Sequence, residues 1–494
     1  MPADAHDHLE VQLESPDFSC DDVRIRKLSG REAISRLFSF DVEIVCLDRD
    51  ALDGNALIGS SVTIVFLRRG LEVRRVHGMI AEVDDMLASL AEQRAFRLRV
   101  VPRAHRLTLI EMLEIFMGAE RAGLPTLGIS VPEIIQSKLA LVDLEADTEL
   151  RLIGEYPKRE FVVQYKETDV AFVSRLAEHV GISFFFEHKE DRDVIVFTDH
   201  QGGFPHIEGV DSVPFRARGE ARDVFHLEAK QRVIPKVFVM RDYNYRHPQL
   251  DLTSDPHTVK VGYGGGVVEY GAHFKTKEEG TRLAQIRAEE RLAEQLVFTG
   301  RSDLCAFGAG MRVTVEGHPM LDRLELLLVE VEHEVSQVVV GSGSEQAFSY
   351  VNTFRAVPAD RTYRPPRVTP KPQIHGLLTG IIDPGPGGTD RVAQLDDQGR
   401  YTVRFLFDTA APGERPASRP VRMVQNHAGE NHGTHFPLKP GIEVVLAFID
   451  GDPDRPIIVG AVPNPTTPSP INNRVATIHR IKTGAGITID LIDE

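Results

Sequence analysis

At roughly 150 residues per domain, a chain of 494 residues has room for about three domains and needs no disulfide or metal staple to fold. Its 42% hydrophobic and 26% charged content excludes wholesale disorder, and the formal net charge of −16 argues against a general binder of nucleic acid or anionic membrane. Three scattered cysteines (Cys20, Cys46, Cys305) offer no ligand spacing and suit a reducing compartment. Trp is absent, and 40 Gly with 30 Pro predict many turns. The opening residues from Met1 to His8 lack the basic and apolar regions of a signal peptide. The longest apolar runs, Leu324–Val331 and Ile442–Ile449, fall far short of the ~20 residues that span a bilayer.

In chain order, Phe38–Val45, Val62–Phe66 and Phe96–Val101 read as strands, being rich in β-branched and aromatic residues. From Arg103 to Val142 the pattern becomes helical, with Pro132 near a helix start. A second helix follows Asp169: Val170, Phe172, Val173, Leu176, Ala177 and Val180 recur at three- and four-residue spacings before Gly181. That face reads as core or subunit interface. Ile182–Glu187 and Val194–Phe197 form a strand pair, Gly264–Gly266 reads as a surface turn, and a charged helix covers about Lys275 to Leu296. A second strand-rich stretch, Met311–Ala356, echoes the first. The segment from Gly59 to Val65 resembles that from Gly310 to Glu316, and the Phe96–Pro102 stretch resembles Phe354–Pro358, in the same order and at similar separation. A duplicated barrel would produce this echo.

Four prolines in the nine residues from Arg364 to Pro372 predict an extended connector at the main domain boundary. Five strands follow: Gly376–Ile382, Tyr401–Phe407, Val421–Gln425, Ile442–Ile449 and Ile457–Val462. A barrel of the oligonucleotide/oligosaccharide-binding (OB) shape fits that pattern. A second Pro-rich hinge, Pro463–Pro470, leads to Arg474–Glu494, where Ile487, Ile489 and Leu491 share one strand parity.

Several blocks resemble the VgrG family, the trimeric spike proteins of bacterial type VI secretion. The segments from Leu28 to Glu43, from Tyr156 through Phe172 to His188, from Asp397 to Phe405, and from Gly451 to Gly460 carry the resemblance in family order. It implies a mainly β fold with α insertions, divided as follows. Residues 1–363 form a phage-hub-like composite of two β-barrels with helical segments, and 364–375 a Pro-rich linker. Residues 376–463 form an OB-fold small barrel, 464–473 a hinge, and 474–494 the start of a trimeric intertwined β-helix needle. In relatives that needle runs well beyond Glu494. Three chains would give six hub barrels, adapting a hexameric tube to a threefold needle.

The implied partners are the Hcp tube protein, a PAAR-repeat tip protein, baseplate components and effectors, within a homotrimer. No nucleic acid, no cofactor and no stable membrane insertion before firing are expected. The protein would stay cytoplasmic until fired, then leave without a signal peptide. Phage tails and extracellular contractile particles use related hub-spike proteins, so that reading stays open, as does, from another class, an OB-barrel enzyme or nucleic-acid binder.

The residue chemistry favours a structural role. His427, His432 and His435 have a spacing that a loop could fold around Zn²⁺, but no Cys is near, and His427 and His432 stand where the resemblance places Trp. They are expected to pack. The pairs Asp84–Asp85 and Asp396–Asp397 lack any accompanying catalytic motif. Gly451, Asp452, Asp454 and Arg455 suggest a calcium loop but lack the closing Glu, so a tight hairpin with Asp-capped amides is expected. The candidate contact elements are therefore the Val170–Val180 helix, the Gly451–Pro456 hairpin and the Ile487–Leu491 strand.

Overall fold

The computed structural model describes residues 9–48, 52–86, 94–117, 128–216, 223–338, 348–385, 388–409 and 417–492. Residues 1–8, on which the signal-peptide reading falls, and the last two residues of the expected needle root lie outside the described residues. Two compact units emerge: Met1–Ile110, Ile135–Tyr156 and Asp169–Pro370 form the first, and Glu111–Ile134, Pro157–Thr168 and Lys371–Glu494 the second. The division at Pro370 falls inside the Pro-rich stretch, but two segments from within the first 363 residues belong to the second unit.

The first unit opens with β1 (Leu9–Glu14), β2 (Val23–Ala33) and β3 (Ser39–Cys46). A single helical turn, α1 (Gly54–Leu57), precedes β4 (Ser61–Arg68), β5 (Leu71–Asp85) and β6 (Arg94–Val101). Alternation along these strands buries Val42, Ile44, Ile64, Phe66, Phe96, Leu98 and Val100. Their order in the sheet is β1-β4-β5-β6-β3-β2.

The helix expected over Arg103–Val142 is mostly not there. A 3₁₀ segment at Arg103–Thr108 gives way to β7 (Glu111–Phe116), and only α2 (Val131–Ala140) is α-helical among the described residues of that span. Ile115 and Phe116 are buried on β7, so pairing and burial override the periodic pattern. Ser130 starts α2 with a capping box: the Glu133 carboxylate accepts from Ser130 N–H at 2.7 Å, and Ser130 Oγ accepts from Glu133 N–H at 3.4 Å. β8 (Thr148–Arg151), β9 (Val162–Thr168), α3 (Asp169–Val180) and the hairpin of β10 (Ser183–Lys189) and β11 (Arg192–Thr198) follow. β9 pairs with β7, within the second unit.

The first unit continues with β12 (Val213–Pro214) and β13 (Val224–Gln231). An inserted module then carries β14 (Pro235–Asp242), β15 (Leu252–Thr253), β16 (His257–Thr258), β17 (Gly264–Tyr270) and α4 (Lys277–Ala293). Gly264–Gly266 is therefore not a turn. It opens β17, which runs parallel to β14 with Gly264 opposite Pro235 and Gly266 opposite Val237, and Gly265 takes a φ of 72°, a conformation open to glycine. β18 (Leu296–Ser302), β19 (Arg312–His318), β20 (Leu321–Ser336) and β21 (Ser349–Pro358) complete the unit.

The second set of strands lies in the order β12-β19-β20-β21-β18-β13, which repeats β1-β4-β5-β6-β3-β2 place for place. The echo extends to single bonds. Gly59 and Gly310, with φ of 82° and 84°, donate to the carbonyls of Ile80 and Leu328 at 2.9 and 2.8 Å. Ile80 and Leu328 donate in turn to Ser60 and Met311 at 3.0 and 2.9 Å. A bulge follows at the same place in each, between Ile80 and Glu82 and between Leu328 and Glu330, and sets Glu82 opposite Arg99 and Glu330 opposite Arg355. One departure is at the edge, where β1 is antiparallel to β4 but β12 is parallel to β19.

β2 and β20 pair antiparallel from Lys27↔Ser336 to Ala33↔Glu330 and join the two repeats into one twelve-stranded sheet. Beside this seam lies a buried polar cluster. Arg74 Nη2 is 2.5 Å from Glu32 Oε1, Arg74 Nη1 donates to the Phe307 carbonyl at 2.6 Å, and His333 Nε2 lies 2.8 Å from Glu32. His333 Nδ1 meets the Tyr350 hydroxyl at 2.9 Å, which suits a neutral imidazole donating from Nε2 and accepting at Nδ1. Burial pushes the Glu32 carboxyl up, but Arg74 and His333 outweigh it and hold its pKa at about 2.

In the second unit, β22 (Leu378–Ile382), β23 (Val403–Phe405), β26 (Glu443–Phe448) and β27 (Pro456–Ala461) form a sheet in the order β23-β22-β26-β27. Between β23 and β26 lies the minimal pair β24 (Ala428–Gly429) and β25 (His432–Gly433). The expected fifth strand at Val421–Gln425 is reduced to isolated bridges, Tyr401↔Val421 and Met423↔Ile458. Ile115, Phe161 and Val163, from the β7–β9 segments, share one buried core with Tyr401, Val403, Phe405, Val444, Leu446 and Ile458. A terminal hairpin, β28 (Ile478–Lys482) with β29 (Thr488–Ile492), ends the described chain. Among the described residues no helix is long and apolar enough to cross a membrane.

The buried groups at the seam fix an acid response. Burial comes first in lowering the pKa of both His188, to about 3, and His333. Each folded-state value lies below its unfolded one, so the folded chain binds fewer protons and stability must fall as pH is lowered. The loss begins below about pH 6.5 through the histidines and steepens from about pH 4.5 toward 2 through Glu32. In denaturant titrations, Glu32→Gln is expected to cost roughly 3 kcal/mol at pH 7 and to flatten that acid limb; parallel wild-type and variant profiles would contradict this.

Candidate assembly surfaces

Helix α3 was one expected contact element. Phe172, Val173 and Leu176 are buried inside the first unit, and Val170 is half-buried. Their contribution is to the chain's own packing. The helix is anchored by a buried ion pair, Lys138 Nζ to Asp169 Oδ1 at 2.9 Å, with both side chains fully buried. Near its other end, Glu178 accepts from the backbone N–H groups of Val368 and Thr369 at 3.0 and 2.9 Å and from the Thr369 hydroxyl at 2.9 Å.

That contact changes the reading of the first Pro-rich stretch. Arg364 donates to the carbonyls of Gly181 and Asp199 and pairs with Glu289 at 2.7 Å, while Arg367 pairs with Glu269 at 2.8 Å and Glu290 at 3.3 Å. Residues 364–370 are thus a strap tied to the first unit. The signal in the sequence was the arginines set among the prolines, which sequence reasoning passed over.

The Gly451–Pro456 segment is the connection between β26 and β27, closed by Ile449 N–H donating to the Arg455 carbonyl at 3.0 Å. Asp450 and Gly451 take φ of 56° and 70°, which explains the small and Asx residues there. Asp452 Oδ1 accepts from Asp454 N–H at 2.9 Å, an aspartate capping an amide as expected. Arg455 lies 3.8 Å from Asp452, but the closer counter-charge is Lys371, whose Nζ is 2.6 Å from Asp452 and 2.9 Å from Asp454. Asp454 Oδ1 also accepts from the buried Val163 N–H at 2.7 Å, which stitches the β9 segment into this unit. The turn is an internal clamp.

The histidines separate. His427 and His432 face each other across the β24–β25 pair with ring centroids 5.2 Å apart, whereas His435 stacks on Tyr401 with Nε2 3.2 Å from its hydroxyl. Among the described residues the three do not bring their ring nitrogens together. Asp84 faces Arg97 and Asp85 faces Arg94 in cross-strand ion pairs, and Asp396 caps its own turn.

The terminal hairpin differs in having no core of its own. Register places Ile481 opposite Ile489 and His479 opposite Leu491, so Ile481, Ile487, Ile489 and Leu491 share one face. Ile487, Ile489 and Leu491 are 67%, 56% and 66% exposed. On the other face Arg480 and Asp490 form a two-pronged ion pair, both bonds 2.8 Å. A two-stranded ribbon with an uncovered apolar face is marginal by itself in water.

Asp454 gives a direct test of the clamp. Asp454→Ala strands the Val163 amide and one Lys371 contact and is expected to destabilise the second unit by about 2–4 kcal/mol. Asp397→Ala, on an exposed turn, is expected to change stability by less than about 0.5 kcal/mol. Denaturant titration with limited proteolysis reads both; equal effects would contradict the clamp.

Comparison with known proteins fits this architecture. Residues 31–339 match the phage tail baseplate hub (GPD) family model, and residues 391–462 match a domain of unknown function, DUF6484. The Pseudomonas aeruginosa type VI secretion system spike protein VgrG5 is 30% identical over 468 residues, which cover 89% of this chain and 56% of that protein. Its paralogue VgrG1c is 29% identical over 464 residues, covering 92% and 61%. The chain thus spans little more than half the length of these relatives. Among solved structures, the E. coli c3393 protein, described as a type VI secretion component similar to the T4 bacteriophage tail proteins gp27 and gp5, superposes with a TM-score of 0.63 at 24% identity. That match covers 92% of this chain and 100% of the other. The family model spans well over half of the chain, and the strand repeat lies largely within it: this chain belongs to the phage tail baseplate hub family, with the VgrG spike proteins of type VI secretion as its relatives.

Proposed function

We propose that three copies of this chain form the puncturing spike at the tip of a type VI contractile machine, with no chemical turnover. The carrying observation is the place-for-place repeat of six strands, down to the matching Gly59 and Gly310 bonds. Two such repeats per chain become six in a trimer, the number needed to seat on a hexameric Hcp tube ring. In this reading the residues before Arg364 act as hub, the second unit supplies an OB-type small barrel, and the hairpin from Arg474 onward starts a three-chain needle. Winding three copies together would cover the Ile487–Ile489–Leu491 face and the hairpin's free edges. Baseplate components would hold the hub, and a PAAR-repeat protein with effectors would ride the needle. The protein would wait in the cytoplasm and leave by firing. The match to the phage hub model favours one second reading, the same hub-spike role in a phage tail or extracellular contractile particle.

Mass measurement in solution tests the assembly. A species of about 165 kDa, three times the 55.0 kDa chain, is expected at micromolar concentration. The triple variant Ile487→Asp/Ile489→Asp/Leu491→Asp should raise the concentration at which it dissociates by at least about tenfold. A stable wild-type monomer near 55 kDa would contradict the proposal.

A further inference from the structure

Two of the three clustered histidines do come together, on the exposed face of the β24–β25 pair. Its register sets Ala428 opposite Gly433 and Gly429 opposite His432, with Glu430 and Asn431 as the turn. His427 lies two residues before Gly429, so it shares a face with Gly429 and, across the pair, with His432. The two histidines are exposed diagonal neighbours, with ring centroids 5.2 Å apart and planes inclined by 48°. Glycine at 429 permits that approach. A Cβ there would stand 2.5 Å from Nε2 of His432 and would collide with Cε1 of the same ring. The Nε2–Cε1 edge of His432 therefore leans across the residue that separates the two histidines on this face.

The ring nitrogens are disposed as metal ligands. His432 Nδ1 lies 2.9 Å from the Glu430 carbonyl oxygen. A carbonyl only accepts, so Nδ1 carries the proton and Nε2 of the neutral ring keeps its lone pair. A backbone carbonyl behind one ring nitrogen is a common support for a metal-bound histidine. Neither ring nitrogen of His427 is engaged by a hydrogen bond among the described residues. Two imidazoles held by one Zn²⁺ at about 2.1 Å, with a tetrahedral angle between them, have centroids about 5 Å apart. That is the spacing found here.

We propose that His427 and His432 chelate a divalent transition ion of the Zn²⁺ class, which staples the β24–β25 hairpin from its exposed face. Imidazole nitrogen favours such ions over Ca²⁺ and Mg²⁺. Two protein ligands leave the other coordination positions to water, so the ion exchanges with solvent, unlike one in a closed four-ligand site. The hairpin has only two residue pairs, and the chelate fixes a register that so short a ladder holds weakly. The site is complete within one chain and does not depend on the spike reading.

Calorimetric titration of the full chain with Zn²⁺ tests the site. The wild type and His435→Ala are expected to share a site for one ion per chain that excess Mg²⁺ does not displace. His427→Ala and His432→Ala should each weaken it at least about tenfold. The double variant should lose little more than either single one, since a lone imidazole does not chelate. Gly429→Ala keeps both imidazoles but crowds the His432 ring, and should weaken the site as well. Without Zn²⁺, His427→Ala and His432→Ala should melt with the wild type, which separates lost ligation from lost folding. No Zn²⁺ binding by the wild type, wild-type affinity in either variant, or equal weakening by His435→Ala would overturn the chelate.

Discussion

Two repeats of strands in one chain have a common difficulty: every open edge is a row of unpaired amides and carbonyls, costly when buried and adhesive when exposed. The antiparallel pairing of β2 with β20 covers the outer edge of β2 and the part of β20 that extends beyond its pairing with β19. It also brings Glu32, Arg74 and His333 out of water together, and that is tolerable only because each finds partners: a guanidinium and a neutral imidazole around one carboxylate, a backbone carbonyl and a tyrosine hydroxyl. Removing Glu32 or Arg74 would leave the other's charge buried without its counter-charge, and removing His333 would strip a hydrogen bond from the Glu32 carboxylate. The pairing therefore fixes the register of the two repeats more narrowly than hydrophobic burial would.

The same logic explains which elements face inward. Helix α3 has a cleaner apolar periodicity than α2 or α4, yet its face is consumed within the chain by packing and by the strap that Glu178 holds. The terminal hairpin looks weaker as a sequence signal and keeps its apolar face uncovered. Periodicity reports that a face is buried somewhere; it does not say against which chain.

Much of the fold was legible in the sequence where the period was clean. The strands of the first repeat, the helix after Asp169 and the shared parity of Ile487, Ile489 and Leu491 all have their counterparts in the structure. The Gly59/Gly310 echo was legible because a positive φ at a strand start demands the same residue twice. What sequence reasoning missed depends on long-range partners. Glu111–Phe116 reads as helix until β9 pairs with it, and Gly264–Gly266 reads as a turn until β14 lies alongside. Lys371, Arg364 and Arg367 look like ordinary solvated charges until the carboxylates they meet, far away in sequence, are known. The histidine cluster dissolves for the same reason, because Tyr401 engages His435.

The central claim is that an internal repeat lets a threefold assembly present sixfold contacts. Electron cryomicroscopy of the purified assembly, viewed along its axis, tests it most directly. The account predicts three chains whose twelve-stranded sheets supply six rings about 60° apart at the hub level, narrowing to threefold density at the terminal hairpins. Two rings of each chain stacked along the axis, or an assembly whose chain number is not three, would contradict it.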